Sequence, residues 1–311
     1  MSIVEKAIGK LRDEARAAAA AAAATGERRR SEPAPLTRPE VHVERAPFIA
    51  PRPVPTEDCV APGAPLHIDL EALRASGALA AQSAERQLAD EYRRIKWPVL
   101  ERAFKRAEAA NADGSLVMVT SALPGDGKTF TALNLALSIA RERDSSVLLI
   151  DADVAKAHMT DLLGIRGRPG LTDLLEKPGM DPASVIQATD IDGLRVMAAG
   201  QRHDSLPELM ASQRMRDLTA QLAARNRDRV IIFDSSPLLA TNESQVLAKL
   251  VGQILLVVRA NGTPRAAVEE AVALLDRSKY VGLVLNQLRN LFGLGSYYSG
   301  HYNYNYGGSQ G

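Results

Sequence analysis

Cysteine is almost absent from this chain, with Cys59 the single one in 311 residues. One thiol excludes an internal disulfide framework and any cysteine-rich zinc site, and it fits a reducing compartment. Aromatic residues make up 4%, with one tryptophan, Trp97. No sign of charge dominates: 38 Lys and Arg face 37 Asp and Glu, leaving +1. That balance favours neither nucleic acid nor a membrane surface as a partner. No apolar run reaches the ~18 residues that would predict a membrane-spanning helix. The opening stretch, Met1-Ser-Ile-Val-Glu-Lys-Ala-Ile-Gly-Lys10, mixes both charge signs and lacks a signal-peptide core, so the expected location is the cytoplasm.

What is present begins with a short amphipathic pattern. Ile3, Val4, Ala7, Ile8 and Leu11 share one helical face, which predicts a helix over 1–24 that runs into polyalanine. Two readings stand for it, a docking helix for a partner or a marginal helix without a role. Residues 25–65 hold nine of the 17 prolines and the triplet Arg28-Arg-Arg30. Such a composition buries too little apolar area to order itself, so a disordered linker is expected. A helical pattern then covers roughly 84–109, with Pro98 expected to kink or restart it. Glu91 and Arg94 are spaced to pair along one face. Trp97 is read first as buried packing and second as a self-association surface.

From Leu116 onward apolar strands alternate with helices. The pattern predicts an α/β domain over 66–290, a mostly parallel sheet covered by helices on both faces. Strands are expected near 116–120, 147–151, 194–198, 230–234, 254–258 and 281–285. Helices are expected near 128–141, 156–163, 171–176, 206–225, 243–250 and 264–277. Residues 291–311 break the pattern: Tyr297, Tyr298, Tyr302, Tyr304 and Tyr306 stand among glycine, serine and asparagine, which predicts a flexible tail.

The chemistry is concentrated after the first strand. Ser121-Ala-Leu-Pro-Gly-Asp-Gly-Lys-Thr129 is a strand–loop–helix phosphate cradle, a Walker A loop with Ala122 at the usual first glycine. Gly125 and Gly127 let the backbone curve so that its N–H groups face phosphate. The run Gly125, Asp126, Gly127, Lys128, Thr129 and Phe130 is the expected nucleotide contact, with Lys128 as the cation. The Thr129 hydroxyl is placed to ligate Mg²⁺. Asp151 and Asp153 end one buried strand, and Asp234, followed by Ser235-Ser-Pro237, ends another. Ligands of open α/β sheets bind at that edge. Carboxylates converging there either share Mg²⁺ or cap the helices that follow. Asn286 ends the last strand, as a contact to the nucleotide base or as a simple strand terminator. His158, His203 and His301 show no metal-ligand spacing, so no site is expected at them.

These three motifs together resemble the bacterial protein-tyrosine kinases, P-loop enzymes that phosphorylate a tyrosine cluster at their own C-terminus. Within that family the first residues, Glu91–Leu100, the stretch Leu238–Ser244 and the tail are similar to the exosortase-associated tyrosine autokinases of exopolysaccharide loci. The resemblance implies ATP and Mg²⁺ as cofactors, with Lys128 and Thr129 on the phosphates. It implies Asp151 as acceptor of the tyrosine proton, Asp153 and Asp234 at the metal, and Tyr297, Tyr298, Tyr302, Tyr304 and Tyr306 as phosphoacceptors. It also implies a homo-oligomer in which tails enter neighbouring sites. A membrane chain-length protein would be the activator that draws the kinase to the inner face of the membrane, and a phosphotyrosine phosphatase would reset it.

The chain departs from the family at Ala155, where relatives carry arginine; Lys156 supplies a point charge there without a planar bidentate contact. Glu91 and Arg94 match an oligomerisation pattern whose third position is Trp97. Two other functions compete. One is a Min- or Par-like switch ATPase, which would place lysine at Leu123. The other is a nucleotide-binding adaptor of weak activity.

Overall fold

The computed structural model describes residues 64–104, 114–203, 205–225 and 228–288. The expected N-terminal helix, nearly all of the linker and the five tail tyrosines lie outside these residues.

Seven strands, β1 (Leu116–Ser121), β2 (Ser146–Asp151), β3 (Gln187–Ala188), β4 (Leu194–Met197), β5 (Arg229–Asp234), β6 (Gln253–Arg259) and β7 (Tyr280–Asn286), form one sheet. Their order is β3-β4-β2-β5-β1-β6-β7, and all neighbours are parallel except β3 and β4. The helices are α1 (Leu70–Ala75), α2 (Glu85–Phe104), α3 (Lys128–Ala140), α4 (His158–Leu162), α5 (Leu171–Glu176), α6 (Leu206–Ala211), α7 (Gln213–Arg225), α8 (Asn242–Leu250) and α9 (Arg265–Ala273).

The central strands are apolar on both faces because helices cover both. Val117, Val119, Val147, Leu149, Val230 and Ile232 pack with Val99 of α2 and with Leu135 and Ile139 of α3. Their alternates Leu116, Met118, Leu148, Ile150, Ile231 and Phe233 pack with Met215, Leu218 and Leu222 of α7 and Leu247 of α8. The period of two along each strand therefore splits one apolar run between two cores.

Four expectations need correction. Trp97 is not buried; it is 69% exposed. The buried stripe of α2 runs Tyr92, Lys96, Val99 and Ala103, and a residue one step from Lys96 is turned ~100° away from it. Lys96 tolerates burial because its ammonium donates to the Ser138 carbonyl and pairs with Glu142. Pro98 lies inside the helix, which continues without the restart that was one of its two expected effects. Glu91 accepts from Gln87 rather than pairing with Arg94, and the ion pair three residues apart on this helix is Asp90–Arg93.

The single helix expected over 206–225 is two. Ser212 takes an extended conformation, and its Oγ accepts from Met215 N, capping α7. α1 and the two-residue β3 went unforeseen, both too short to show a periodicity.

Candidate active site

The phosphate cradle is built by two left-handed glycines, Gly125 (φ 84°) and Gly127 (φ 97°), the second being the N-cap of α3. That conformation turns the N–H groups of the loop and of the first helical turn outward together. Beside the loop lies a cavity of about 490 Å³, lined by Gly125, Gly127, Lys128, Thr129, Phe130 and Asp153, with Ser76–Ala78, Lys156, His158, Leu162, Asn286 and Gln287 completing the wall.

The loop is held from behind by residues of distant elements. Asp126, expected to touch nucleotide, is 3% exposed and turns its carboxylate inward. Its Oδ1 accepts from the Thr263 hydroxyl at 2.8 Å and its Oδ2 from Leu123 N at 3.3 Å. Thr263 Oγ1 itself accepts from Arg259 N at 2.9 Å. Asn286 Nδ2 donates to the Asp126 carbonyl at 2.9 Å, and its Oδ1 accepts from Gln287 N. A Cβ on Gly127 would lie 1.9 Å from that Nδ2. Asn286 is thus a clamp on the loop as well as part of the cavity wall.

The carboxylates meet as the motifs implied, since Asp151 and Asp234 are register partners on adjacent strands. They differ in exposure. Asp153 lines the cavity, while Asp151 is fully enclosed. Asp151 Oδ2 accepts from Thr160 N at 2.8 Å and Thr160 Oγ1 at 2.7 Å, and its Oδ1 accepts from Asp153 N. Burial pushes its carboxyl up to about 6 against those three donors. Asp234 is pushed up to about 8 by burial and then by the charge of Asp151, with a hydrogen bond from Thr129 opposing. Burial lowers the Lys128 ammonium, while Asp234 and Asp153 work to keep it charged.

A divalent cation fits this donor set. Asp234 Oδ1 is buried with no hydrogen-bond partner, and the Thr129 hydroxyl and Asp153 stand beside it toward the cavity. Among the described residues no three His, Cys, Asp or Glu side chains form a metal cage. Mg²⁺ characteristically takes one or two carboxylates and completes its shell with water and phosphate, so a partial set is what a nucleotide-borne ion requires.

Three contributors, Thr160, Thr263 and His158, escaped the sequence reading, while Lys156 was expected as a positive charge. Thr160 and Thr263 belong to no motif and act through bonds across 9 and 137 residues. Lys156 and His158 enter the cavity wall because Ala157, at φ 48°, bends the chain before α4.

No family model matches the chain. Tyrosine-protein kinase YwqD of Bacillus subtilis is 35% identical over 185 residues, 58% of this chain and 76% of that protein. Tyrosine-protein kinase Wzc of Salmonella typhimurium is 31% identical over 198 residues, 63% of this chain but 27% of that longer protein. The chain therefore spans three quarters of one curated relative and about a quarter of the other. Among solved structures, the kinase domain of VpsO is 33% identical with a TM-score of 0.55, over 67% of this chain and all of that one. The kinase domain of Escherichia coli Etk is 26% identical with a TM-score of 0.54, over 66% of this chain and 79% of that one.

Proposed function

The chain belongs to the bacterial tyrosine-protein kinases, and from that premise we propose that it transfers the γ-phosphoryl group of ATP to tyrosines of its own C-terminal tail. The observation that carries the reading is the convergence of Lys128, Thr129, Asp153 and Asp234 on one phosphate-sized loop, in a chain ending with five tyrosines. Phosphoryl transfer needs positioning and charge neutralisation more than covalent chemistry. The N–H groups of the glycine loop and Lys128 would hold the phosphates. Thr129, Asp153 and Asp234 would hold Mg²⁺, which when bound neutralises phosphate charge. Asp151, expected to take the tyrosine proton, is closed in by Thr160 of α4, so a substrate hydroxyl would reach it only by displacing that contact. Lys156, on the cavity wall, adds positive charge where relatives carry arginine.

The resemblance to exopolysaccharide autokinases extends the proposal to control of polymer assembly or export, by a homo-oligomer recruited to the membrane through a chain-length protein and reset by a phosphatase. Each phosphate adds about −1.5 to −2 charges, so a phosphorylated tail is repelled from the carboxylate-lined site. The switch-ATPase reading fares worse, since Leu123 is half-buried against the sheet core rather than reaching outward as a lysine would.

The test is incubation of the full chain with ATP and Mg²⁺, then mass spectrometry of residues 291–311, with Lys128→Ala beside it. Phosphotyrosine in the first sample and none in the second is expected. No phosphotyrosine in either, with a membrane partner added, would replace the kinase reading by the adaptor.

A further inference from the structure

The cavity runs along the C-terminal edge of the sheet. Asn286 and Gln287 wall it where β7 ends, and Asp153, Lys156, His158 and Leu162 wall it in the segment that follows β2. β6, β1 and β5 stand between those two strands, so the ends lie about 19 Å apart at one strand spacing per step. The phosphate loop follows β1, midway between them. A nucleotide with its phosphates on the loop and its base toward Asn286, the contact expected of that residue, would occupy the β7 half. The β2 half is left for the group that receives the phosphate.

A turn that belongs to no motif joins the wall, Ser76-Gly77-Ala78, directly after α1. The chain reaches it from the β2 side of the sheet, where Leu66 N donates to the Ala188 carbonyl of β3 at 2.8 Å and Ile68 N to Asp190 Oδ1 at 3.0 Å. The donors of the turn are spent inside it. Ser76 N bonds the Ala72 carbonyl, Ser76 Oγ and Ala78 N that of Leu73, and Gly77 N that of Arg74. Asn134 of α3 ties the turn to the helix behind the phosphate loop, its amide donating to the carbonyls of Ala78 at 3.2 Å and Phe130 at 2.7 Å. Ala78, Phe130 and Leu162 belong to one apolar cluster. Gly77 has φ 76°, and a Cβ there would meet nothing within 4 Å, so the position opens onto the cavity it lines.

We propose that Ser76–Ala78, Phe130 and Leu162 form the slot for the aromatic ring of the acceptor tyrosine, with its hydroxyl turned toward the phosphate loop. The inference rests on the tyrosine-phosphorylation reading above and adds how the acceptor is chosen. A wall whose donors are spent offers serine or threonine no hydrogen bond and little area to cover. A phenol ring buries its faces against CH groups and keeps its one polar atom at the polar end. The slot therefore selects tyrosine by its ring.

The test reads binding, without turnover. Full-length protein with its five tail tyrosines replaced by serine, loaded with ADP and Mg²⁺, is titrated with a peptide of residues 295–306. Phenylalanine in place of the peptide's tyrosines should change Kd by less than ~3-fold, and serine should weaken binding at least ~10-fold. Gly77→Asn, which tolerates the left-handed backbone and puts a side chain into the slot, should weaken the tyrosine peptide at least ~10-fold and ADP by less than ~3-fold. Gly167→Asn, at φ 82° with equally open space but not on the cavity wall, should alter neither. Equal affinity for the tyrosine and serine peptides, no peptide binding, or a parallel loss of ADP in Gly77→Asn would overturn the proposal. A peptide held by its rings yet left unphosphorylated when ATP replaces ADP would instead overturn the autokinase reading alone.

Discussion

Asp234→Asn should make the nucleotide-free protein more stable while abolishing its activity. Asp234 is 1% exposed, one of its oxygens has no partner, and burial together with Asp151 pushes its carboxyl up to about 8. A carboxyl raised in the folded state binds its proton more tightly there than in the unfolded chain. Stability is thus full below the unfolded value near ~4 and is lost as pH rises through ~8, the reverse of a salt-bridged aspartate. At pH 7 the cost is on the order of 4 kcal/mol by that linkage. Asparagine keeps the shape and removes the charge, but leaves an amide to satisfy at ~1–2 kcal/mol. The net gain is ~2 kcal/mol, or ~4–8 °C in Tm for a domain of this size. Thermal unfolding without nucleotide or metal, from pH 5 to pH 8, reads it directly. Wild type should lose stability across that window and Asp234→Asn should lose much less. Adding Mg²⁺ and ATP should raise the wild-type Tm and scarcely move the variant. A variant that melts below wild type at pH 8, or parallel pH slopes, would refute the electrostatic reasoning.

Other consequences concern the backbone. Gly127→Ala should weaken ATP binding by at least ~10-fold, from both its left-handed φ and the Asn286 amide; Asn286→Ala in the same chain should recover part of that loss, a non-additive cycle measurable by calorimetry. Ala157→Gly should stabilise the protein by ~1 kcal/mol, whereas Ala157→Pro, which cannot adopt φ 48°, should destabilise it by ~3 kcal/mol in denaturant unfolding. Trp97→Glu should leave monomer stability within ~0.5 kcal/mol, because the indole is 69% exposed among the described residues; a fall in mass by light scattering would assign it to self-association.

The six longer strands and the phosphate loop were legible because each is announced within a few neighbouring residues. An apolar run between turn formers, or a glycine pair before lysine and threonine, carries its own explanation. Trp97 was misread because residue type suggested burial, while the helical phase that decides it is set by Tyr92, Val99 and Ala103. Asp126 carries a related lesson: its motif position points to the ligand, while the partner of its carboxylate, Thr263, lies 137 residues on. Thr160, the hydroxyl that encloses Asp151, carries no local signal either. What the chain spells out is which groups assemble; what it conceals is which of them face the cavity and which brace it, since that depends on hydrogen bonds between distant segments.

The Asn286 clamp has a consequence for the order in which the molecule becomes competent. Its amide fastens a loop at 125–129 that is synthesised 160 residues earlier. Synthesis runs from the N-terminus, so β1 and both strands that flank it, β5 and β6, are made before β7. The nucleotide loop, though, stays without its brace until the final strand arrives and slots in beside β6. Only the residues after Asn286, including every tail tyrosine, are made later. The kinase therefore acquires its finished phosphate site and its proposed substrate almost together.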